Sequence, residues 1–373
     1  MFGAPPSELP QRIAFVLVPN FSMIAFASAV EALRLANRAS GRALYSWHLF
    51  TRTGAPEAAS NGIVLYPEGG IEQASGFSTV ILCSGIDGHK FHDRALAAWL
   101  RRMDRQGADI GALCTASHIL ARAGLLDGHR CTIHWENIAG FAESFPDIEV
   151  TSELFEIDRN RFTCSGGTAA LDMMLNMIAL QHGQALATAV SEQIIHERIR
   201  DRHDHQRMAL TARLGIRHPK LIAVVRLMED NLEEPLDRAR LAEAAGLSSR
   251  QLERLFRKYL NRSPARYYLE LRLNRARLLL LQTNLSVIDV ALACGFVSAS
   301  HFSKAYRDFF GKTPRRERAA PFAPPTPARE LRAARRGRPA PPPPAGREMA
   351  FALATANLLI TATDPEPGIG STA

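Results

Sequence analysis

Two stretches in the second half of the chain share the same pattern, fifty residues apart: a glycine that can end one helix, followed by a serine that can cap the next. The first, LAEAAGLSSRQLERLFRKYL (241–260), has a short helical pattern, a glycine, and then Ser248, whose hydroxyl can cap a new helix. Gln251 follows three residues later and completes a capping box. The second, VALACGFVSASHFSKAYRDFF (290–310), repeats this pattern with Gly295 and Ser298. The repeat predicts two helix-turn-helix units and therefore an all-helical second half.

A longer helix is predicted between the two units. Ser263 and Pro264 supply its start, and the apolar spacing continues to about Gln282. Such a rod would fix the distance between the units. Its expected buried residues include Tyr268, Leu271 and Ala276. In the second helices of the two units the expected core residues are Leu252, Leu255, Phe256, Phe302, Tyr306 and Phe309.

The charge of the chain is unevenly distributed. Residues 1–214 hold 19 Lys and Arg against 22 Asp and Glu, net −3, whereas residues 215–318 hold 20 against 11, net +9. Basic side chains of this kind displace counterions from phosphates. The second half is therefore expected to bind a polyanion.

Residues 219–318, including DVALACGFVSASHFSKAYRDFFGKTPRRER, resemble the AraC/XylS family of transcription regulators. The resemblance implies that the second helix of each unit enters the major groove, on successive turns of one face of promoter DNA. Arginine can make paired hydrogen bonds to guanine, while lysine and helix N-termini hold phosphates. The capping residues and the positions that match the family's base-reading residues are Ser248, Arg250, Glu253, Arg254, Ser298, Ser300, His301 and Lys304.

The first 200 residues alternate short apolar runs with helical patterns. RIAFVLV, SWHLFTR, STVILCS, DIGALC and CTIHW are typical of strands, and SAVEALRLANRAS and RALAAWLRRMDRQG of helices. IEVTSELFEIDRNRFTCSG predicts a hairpin that turns near residues 158–161, before a long helix over residues 167–182. We expect an α/β domain with a mostly parallel sheet and flanking helices over residues 11–200.

Cys114, in GALCTASHILARAG, is placed between a strand and a helix, where hydrolases hold nucleophiles. A helix N-terminus lowers the pKa of a thiol and also binds anions. His134, in TIHW, ends a later strand and could approach the sulfur. A cysteine and a histidine in an α/β sheet allow nucleophilic catalysis but do not specify it.

This region resembles the class I glutamine-amidotransferase-like fold, in the branch with PfpI-type intracellular proteases, most clearly in the cysteine turn, TIHW and CSGGTAALDMM. Fused to an AraC-type domain, the chain resembles GlxA-type transcriptional regulators, and among them those that answer to carnitine and glycine betaine. In the enzymatic relatives an acid supports the cysteine, but the matching position here is Ala25, and Glu31 lies six residues later. Without that acid, proton transfer at the sulfur loses a partner. Cys114 and His134 are therefore expected to be vestiges of a catalytic pair.

We expect a ligand pocket at the carboxyl ends of the parallel strands. Amide groups near Thr115 would take a carboxylate, and Trp135, with Phe21 or Trp47, would face a cation. No cofactor and no metal are expected. The predicted lining residues are Phe21, Ser22, Ser84, Gly85, Cys114, Thr115, His134 and Trp135.

The sequence thus predicts a ligand-responsive regulator, an activator of catabolic genes, that senses an amino-acid-like or quaternary amine metabolite. Its expected partners are promoter DNA, RNA polymerase and a second copy bound through the first domain. The alternatives are a cysteine hydrolase or amidase with Cys114 as nucleophile, and a constitutive DNA-binding protein whose first domain only dimerises.

Five cysteines without a C-x-x-C pair, and no long apolar run, favour a cytoplasmic protein without a membrane span. RIAFVLVPNFSMIAFASA could imitate a signal peptide, but Pro19 and Asn20 divide it into a strand and a turn. Residues 201–218 are the expected domain linker, and HERIRDRHDHQRM (196–208) is expected to be a charged linker helix. Residues 319–373, rich in Pro, Ala and Arg, are expected to be a disordered tail.

Overall fold

The first strand illustrates why the first half folds around a central sheet. In the computed structural model, which describes residues 2–319, β1 is Gln11–Leu17. Ile13 and Phe15 lie in the apolar core on one face of the sheet, and Ala14 and Val16 lie in the core on the other face. A run without polar alternation is what a strand needs when helices cover both of its faces. The α/β architecture expected from the sequence is confirmed.

The main sheet has seven strands in the order β10-β11-β7-β6-β1-β2-β5. All neighbours pair in parallel except β10 and β11, which form the predicted hairpin. Two small two-stranded sheets, β3 with β4 and β8 with β9, have separate backbone ladders. The remaining strands are β2 (Tyr45–Thr51), β3 (Glu57–Ala58), β4 (Val64–Leu65), β5 (Gly69–Gly70), β6 (Thr79–Cys83), β7 (Asp109–Leu113), β8 (Cys131–Thr132), β9 (Val150–Thr151), β10 (Phe155–Asp158) and β11 (Arg161–Cys164).

Helices cover both faces of this sheet. Buried residues of α1, α5 and α6 join one core cluster, and those of α2, α3 and α4 join the other. The helices of the first half are α1 (Met23–Ser40), α2 (Arg94–Arg105), α3 (Ser117–Arg122), α4 (Ile138–Ser144), α5 (Ala169–His182) and α6 (Gln184–Gln193).

The second half is helical, as the repeated motif predicts. One core contains the first unit, and a second core contains the later half of α11 together with the second unit. The helices are α7 (Leu210–Leu214), α8 (Pro219–Asp230), α9 (Arg238–Ala244), α10 (Ser249–Leu260), α11 (Pro264–Gln282), α12 (Val287–Ala293), α13 (Ala299–Phe310) and α14 (Pro314–Ala319).

Two local expectations are wrong. CTIHW forms a strand only over β8, because the chain turns after Ile133 and leads into α4. Residues 196–208 are not helical; several of their side chains pair with the first domain, and Arg198 pairs with Asp204 within the segment. Arg200 pairs with Asp172, and His203 Nδ1 lies 2.9 Å from Glu153 Oε2.

The described residues belong to one compact unit, in which the two halves contact each other. The boundaries at 200, 218 and 318 stay predictions. The tail is expected to be disordered, but its residues from 320 onward lie outside the described part of the chain. Within residues 2–319, no helix is both long enough and apolar enough to span a membrane.

Candidate DNA-binding surface and ligand pocket

Helix α10, the predicted reading helix of the first unit, begins with the predicted capping box. Ser248 Oγ accepts from the Gln251 amide at 3.2 Å, and Gln251 Oε1 accepts from the Ser248 amide at 2.8 Å. Leu252 and Phe256 are fully buried on one side of the helix, so the opposite side of the helix faces the solvent. Arg250 and Arg254 are exposed there.

These exposed side chains line an open basic groove. Glu253 belongs to it as well, and its carboxylate lies 3.4 Å from Arg257 Nε. The groove therefore presents guanidinium groups with one acceptor among them, a combination suited to phosphates and base edges. The lining residues are Arg238, Ser248, Ser249, Arg250, Gln251, Glu253, Arg254 and Arg257.

The second reading helix, α13, is built in a related way. Ser298 Oγ accepts from the His301 amide at 3.4 Å, and Phe302 and Tyr306 are fully buried. The predicted reading positions Ser300, His301 and Lys304 are all exposed. The structure therefore brings each predicted set onto one exposed helix surface.

The long helix α11 joins the two units. The Tyr268 hydroxyl near its start donates to the Asn231 carbonyl of the first unit. Further along, Arg272 donates to the carbonyl oxygens of Cys294 and Gly295 at 2.7 and 2.6 Å, in the turn of the second unit. These contacts hold both units on one rod, as its predicted spacing role requires.

Cys114 lies in the predicted turn between β7 and α3, in a left-handed backbone conformation with φ of 62°. A non-glycine residue in this region stores strain, as nucleophile turns do. Gly166 presses against it, and a Cβ on Gly166 would lie 2.6 Å from the Cys114 Cβ, so this position requires glycine. Burial raises the pKa of the Cys114 thiol to about 12. The hydrogen bond from the Thr115 amide acts in the opposite direction, but burial has the larger effect on this pKa.

Other predicted lining residues form a closed network beside this turn. The Thr115 hydroxyl donates to the Gly85 carbonyl at 2.5 Å and lies 3.1 Å from the Ser84 hydroxyl. Ser22 caps α1, and its amide donates to the Ser84 carbonyl at 3.2 Å. Phe21 is fully buried and packs edge-on against Phe26.

A small pocket lies next to this network, with a volume of about 200 Å³. Pockets for drug-sized ligands measure about 300–1,000 Å³, so this one suits a smaller metabolite. Of the eight predicted lining residues it contains His134 and Trp135; the other six assignments stay predictions. Its lining residues are His134, Trp135, Leu154, Ser165, Gly166, Gly167, Thr168, Ala169, Arg200 and Gln206.

The two aromatic lining residues differ in character. Burial lowers the pKa of His134, although its Nδ1 lies 4.0 Å from a carboxylate oxygen of Glu136. Trp135 already carries a cation, because the Arg207 guanidinium carbon lies 4.4 Å from the centroid of its ring. The pocket therefore contains an indole that accepts cation–π contacts.

Sequence reasoning missed Arg200 and Gln206. Gln206 Nε2 donates to the Glu153 carbonyl at 2.8 Å and lies 3.1 Å from the Ile133 carbonyl, which ties the linker to the pocket wall. The charge-rich run HERIRDRHDHQRM was the available signal, but it also fits a solvated helix. Within residues 2–319, no group of three or more His, Cys, Asp or Glu side chains could hold a metal ion.

Comparison with known proteins gives one family match in each half of the chain. Residues 11–180 match the DJ-1/PfpI family, and residues 241–320 match a helix-turn-helix domain. The HTH-type transcriptional regulator GbdR of Pseudomonas aeruginosa is 52% identical over 317 residues, which cover 85% of this chain and 86% of that protein. The chain is a GlxA-type member of the AraC family.

Two further similarities extend across this family. The HTH-type transcriptional regulator GlxA of Rhizobium meliloti is 38% identical, over 84% of this chain and 97% of its own. An AraC family transcriptional regulator from Pseudomonas putida, known from its crystal structure, is 27% identical and covers 50% of this chain and 100% of that chain with a TM-score of 0.46. The names of GbdR and GlxA, together with the helix-turn-helix match, identify this GlxA-type protein as a DNA-binding transcription regulator.

Proposed function

We propose that this regulator responds to a small amino-acid-like or quaternary amine metabolite and activates catabolic genes. The observation that carries the proposal is that the domain linker forms part of the ligand pocket. Arg200 and Gln206 line the pocket, and α7 begins shortly afterwards at Leu210. A ligand in this pocket touches the segment that leads into the DNA-binding half.

A second connection runs through α4, which follows the pocket residue Trp135 closely in the chain. Ala139 of α4 packs against the core of the second helix-turn-helix unit. Nearby, His89 Nε2 lies 2.9 Å from the Leu281 carbonyl near the end of α11. A change in the pocket can therefore reach α11 by direct packing.

The quaternary amine class is supported by Trp135. A quaternary ammonium has no N–H to donate, so its binding site relies on aromatic faces. The Arg207 guanidinium lies over the Trp135 ring, so this indole already makes one cation–π contact. A ligand cation at this ring would compete with Arg207 and so act on the linker.

The alternative function is a cysteine hydrolase, and the surroundings of Cys114 favour the sensor. A thiol with a pKa of about 12 is almost entirely protonated at neutral pH. Ala25, at the position of the supporting acid, is buried in α1, and Glu31 pairs with Arg34 on the surface. Neither position therefore supplies a carboxylate that could support proton transfer at Cys114.

The proposal is tested with the full chain and DNA selected from a random duplex pool. The selected duplexes are expected to contain two half-sites about one helical turn apart, because both units lie on one rod. A reporter driven by such a duplex is expected to respond to betaine, carnitine or arginine. The size of this response is expected to be the same with the wild type and with Cys114→Ser. Turnover of the inducing metabolite, together with its loss in Cys114→Ser, would establish the hydrolase instead.

The same proposal includes a homodimer through the first domain, a contact with RNA polymerase and a cytoplasmic location. The dimer is supported by large exposed apolar side chains on the first domain: Ile24, Ile63, Val64 and Tyr66. Light scattering of Tyr66→Glu and Ile24→Glu is expected to give a smaller mass than the wild type. An unchanged mass in both variants would place the dimer contact elsewhere.

A further inference from the structure

Arg200 is held in the pocket by a buried carboxylate. Asp172 of α5 is fully buried, and its Oδ2 accepts from Arg200 Nη2 at 2.6 Å and from Nε at 2.9 Å. Asp172 Oδ1 also accepts from the Arg200 amide at 2.7 Å and lies 2.9 Å from His196 Nε2. These contacts fix the guanidinium along one edge, so little conformational entropy remains to be lost when it binds a ligand.

The opposite corner of the guanidinium is free. Within residues 2–319, Arg200 Nη1 makes no hydrogen bond or ion pair, although the side chain lines the pocket. The Thr168 hydroxyl accepts from Arg200 Nη2 at 2.7 Å, which leaves its own hydrogen available. Nη1 and the Thr168 hydroxyl thus offer adjacent donors at the pocket wall.

The side chains that line the pocket do not repel an anionic group. Its lining, as described above, contains one guanidinium and no carboxylate side chain. Asp172 approaches Arg200 from behind and is itself fully buried, so it does not occupy the donors that face the pocket. Charge-assisted hydrogen bonds to an arginine fork are stronger and more directional than neutral ones.

We infer that Arg200, together with Thr168, is the carboxylate-binding site for the metabolite that this regulator senses. This inference rests on the proposed function and makes it more specific, because the effector must carry a carboxylate as well as a cationic group for Trp135. It also moves the carboxylate from the amides near Thr115 to Arg200, the residue that directly precedes the linker. Effector binding therefore acts at the start of the linker through Arg200.

The test is calorimetric titration of the full chain with two pairs of probes. Glycine betaine and choline share a trimethylammonium group, and arginine and agmatine share a guanidinium group, but only the first of each pair has a carboxylate. The wild type is expected to bind at least one carboxylate-bearing probe at least about tenfold more tightly than its partner.

Two variants remove the proposed donor, and one serves as a matched control. Arg200→Lys keeps a cation for Asp172 but removes the fork, and Arg200→Gln removes the charge; thermal unfolding checks that both are folded. In both, the affinity ratio within each pair is expected to fall close to one. Arg198→Lys alters an arginine of the same segment that pairs with Asp204 and does not line the pocket, and it should keep the wild-type ratio.

Each outcome decides a specific point. A wild-type ratio near one, or a ratio that survives in both folded Arg200 variants, overturns the carboxylate site and leaves the sensor intact. If the wild type binds none of the four probes, the proposed effector class fails, and the carboxylate site for it fails as well. Loss of the ratio in Arg198→Lys, which keeps the charge and leaves the pocket lining unchanged, would show that any disturbance of the segment abolishes discrimination, and this would overturn the assignment to Arg200.

Discussion

The two helix-turn-helix units have similar sequences but different surroundings. The core of the first unit is built by α8 to α10, the start of α11 and the end of the linker, including Leu210 and Ile216. The core of the second unit also receives Ala139 from the first domain. The first unit is thus attached to the first domain through the linker, whereas the second contacts that domain directly by packing.

The reading helices differ in chemistry as well. Arg250 and Arg254 give the first helix two forked donors, whereas Ser300, His301 and Lys304 give the second a weaker and more varied set. The two copies of the repeated motif therefore need not have the same role. We expect the first unit to contribute more to base discrimination, and the second to hold the phosphates and receive the signal from the sensor.

The largest expected effect belongs to the first unit. Arg254→Ala is expected to weaken specific DNA binding by about 1 to 3 kcal/mol, roughly 5- to 150-fold, and to relax preference at one base pair. Gel-shift titration with the selected duplex and its single-base variants measures both effects. Unchanged affinity would remove Arg254 from the reading set and make the two units more alike than proposed.

A smaller difference is expected between the two helix caps. Ser248→Ala should destabilise its unit by about 1 kcal/mol, because it breaks a capping box in which both partners bond. Ser298→Ala should cost about 0.5 kcal/mol, because that cap has no reciprocal side chain. Urea unfolding followed by helical circular dichroism compares the two variants. An equal loss would contradict the asymmetry of the caps.

The second unit should show a nonspecific effect on DNA. Lys304→Ala is expected to weaken binding to all duplexes by a similar, smaller factor and to reduce the salt dependence of log affinity by about one. Gel shifts at several salt concentrations measure this slope. If the substitution instead changes preference at a single base pair, Lys304 reads a base and the proposed division between the units is wrong.

The smallest effect on DNA affinity is expected at the contact between α4 and α11. Gly140 is buried there, and a Cβ at this position would lie 2.9 Å from Gln282 Oε1. Gly140→Leu should force the two helices apart, leave affinity for the selected duplex unchanged, and abolish the response to the effector. Gly140→Ala, whose Cβ would lie 2.9 Å from Gln282 Oε1 and 3.2 Å from the Gln282 Cβ, displaces less and serves as the milder control. A full response in Gly140→Leu would leave the linker as the only route.

Much of the fold could be predicted because its signals are local. The apolar run in β1 specifies a strand buried on both faces, and Ser248, Ser263 and Ser298 each cap the helix that the sequence assigns to them. These features depend on neighbours within a few residues. The structure therefore agrees with the sequence at those positions.

The pocket could be predicted only in part because its contacts are distant in the chain. Arg200 meets Asp172, and Gln206 meets Thr132, residues separated from them by 28 and 74 positions. The periodicity of a sequence does not indicate such pairs, so the charged run by itself favours a helix. His134 and Trp135 were found because they follow a strand, which is a local signal.

The most direct measurement is run-off transcription from a promoter that carries the selected duplex, with purified chain and bacterial RNA polymerase. With glycine betaine, carnitine or arginine added, at least one is expected to raise transcript yield severalfold with the wild type and with Cys114→Ser, while the metabolite is recovered unchanged. Transcript yield that does not respond to any of the three, or a response that requires Cys114 and consumes the metabolite, would contradict the account.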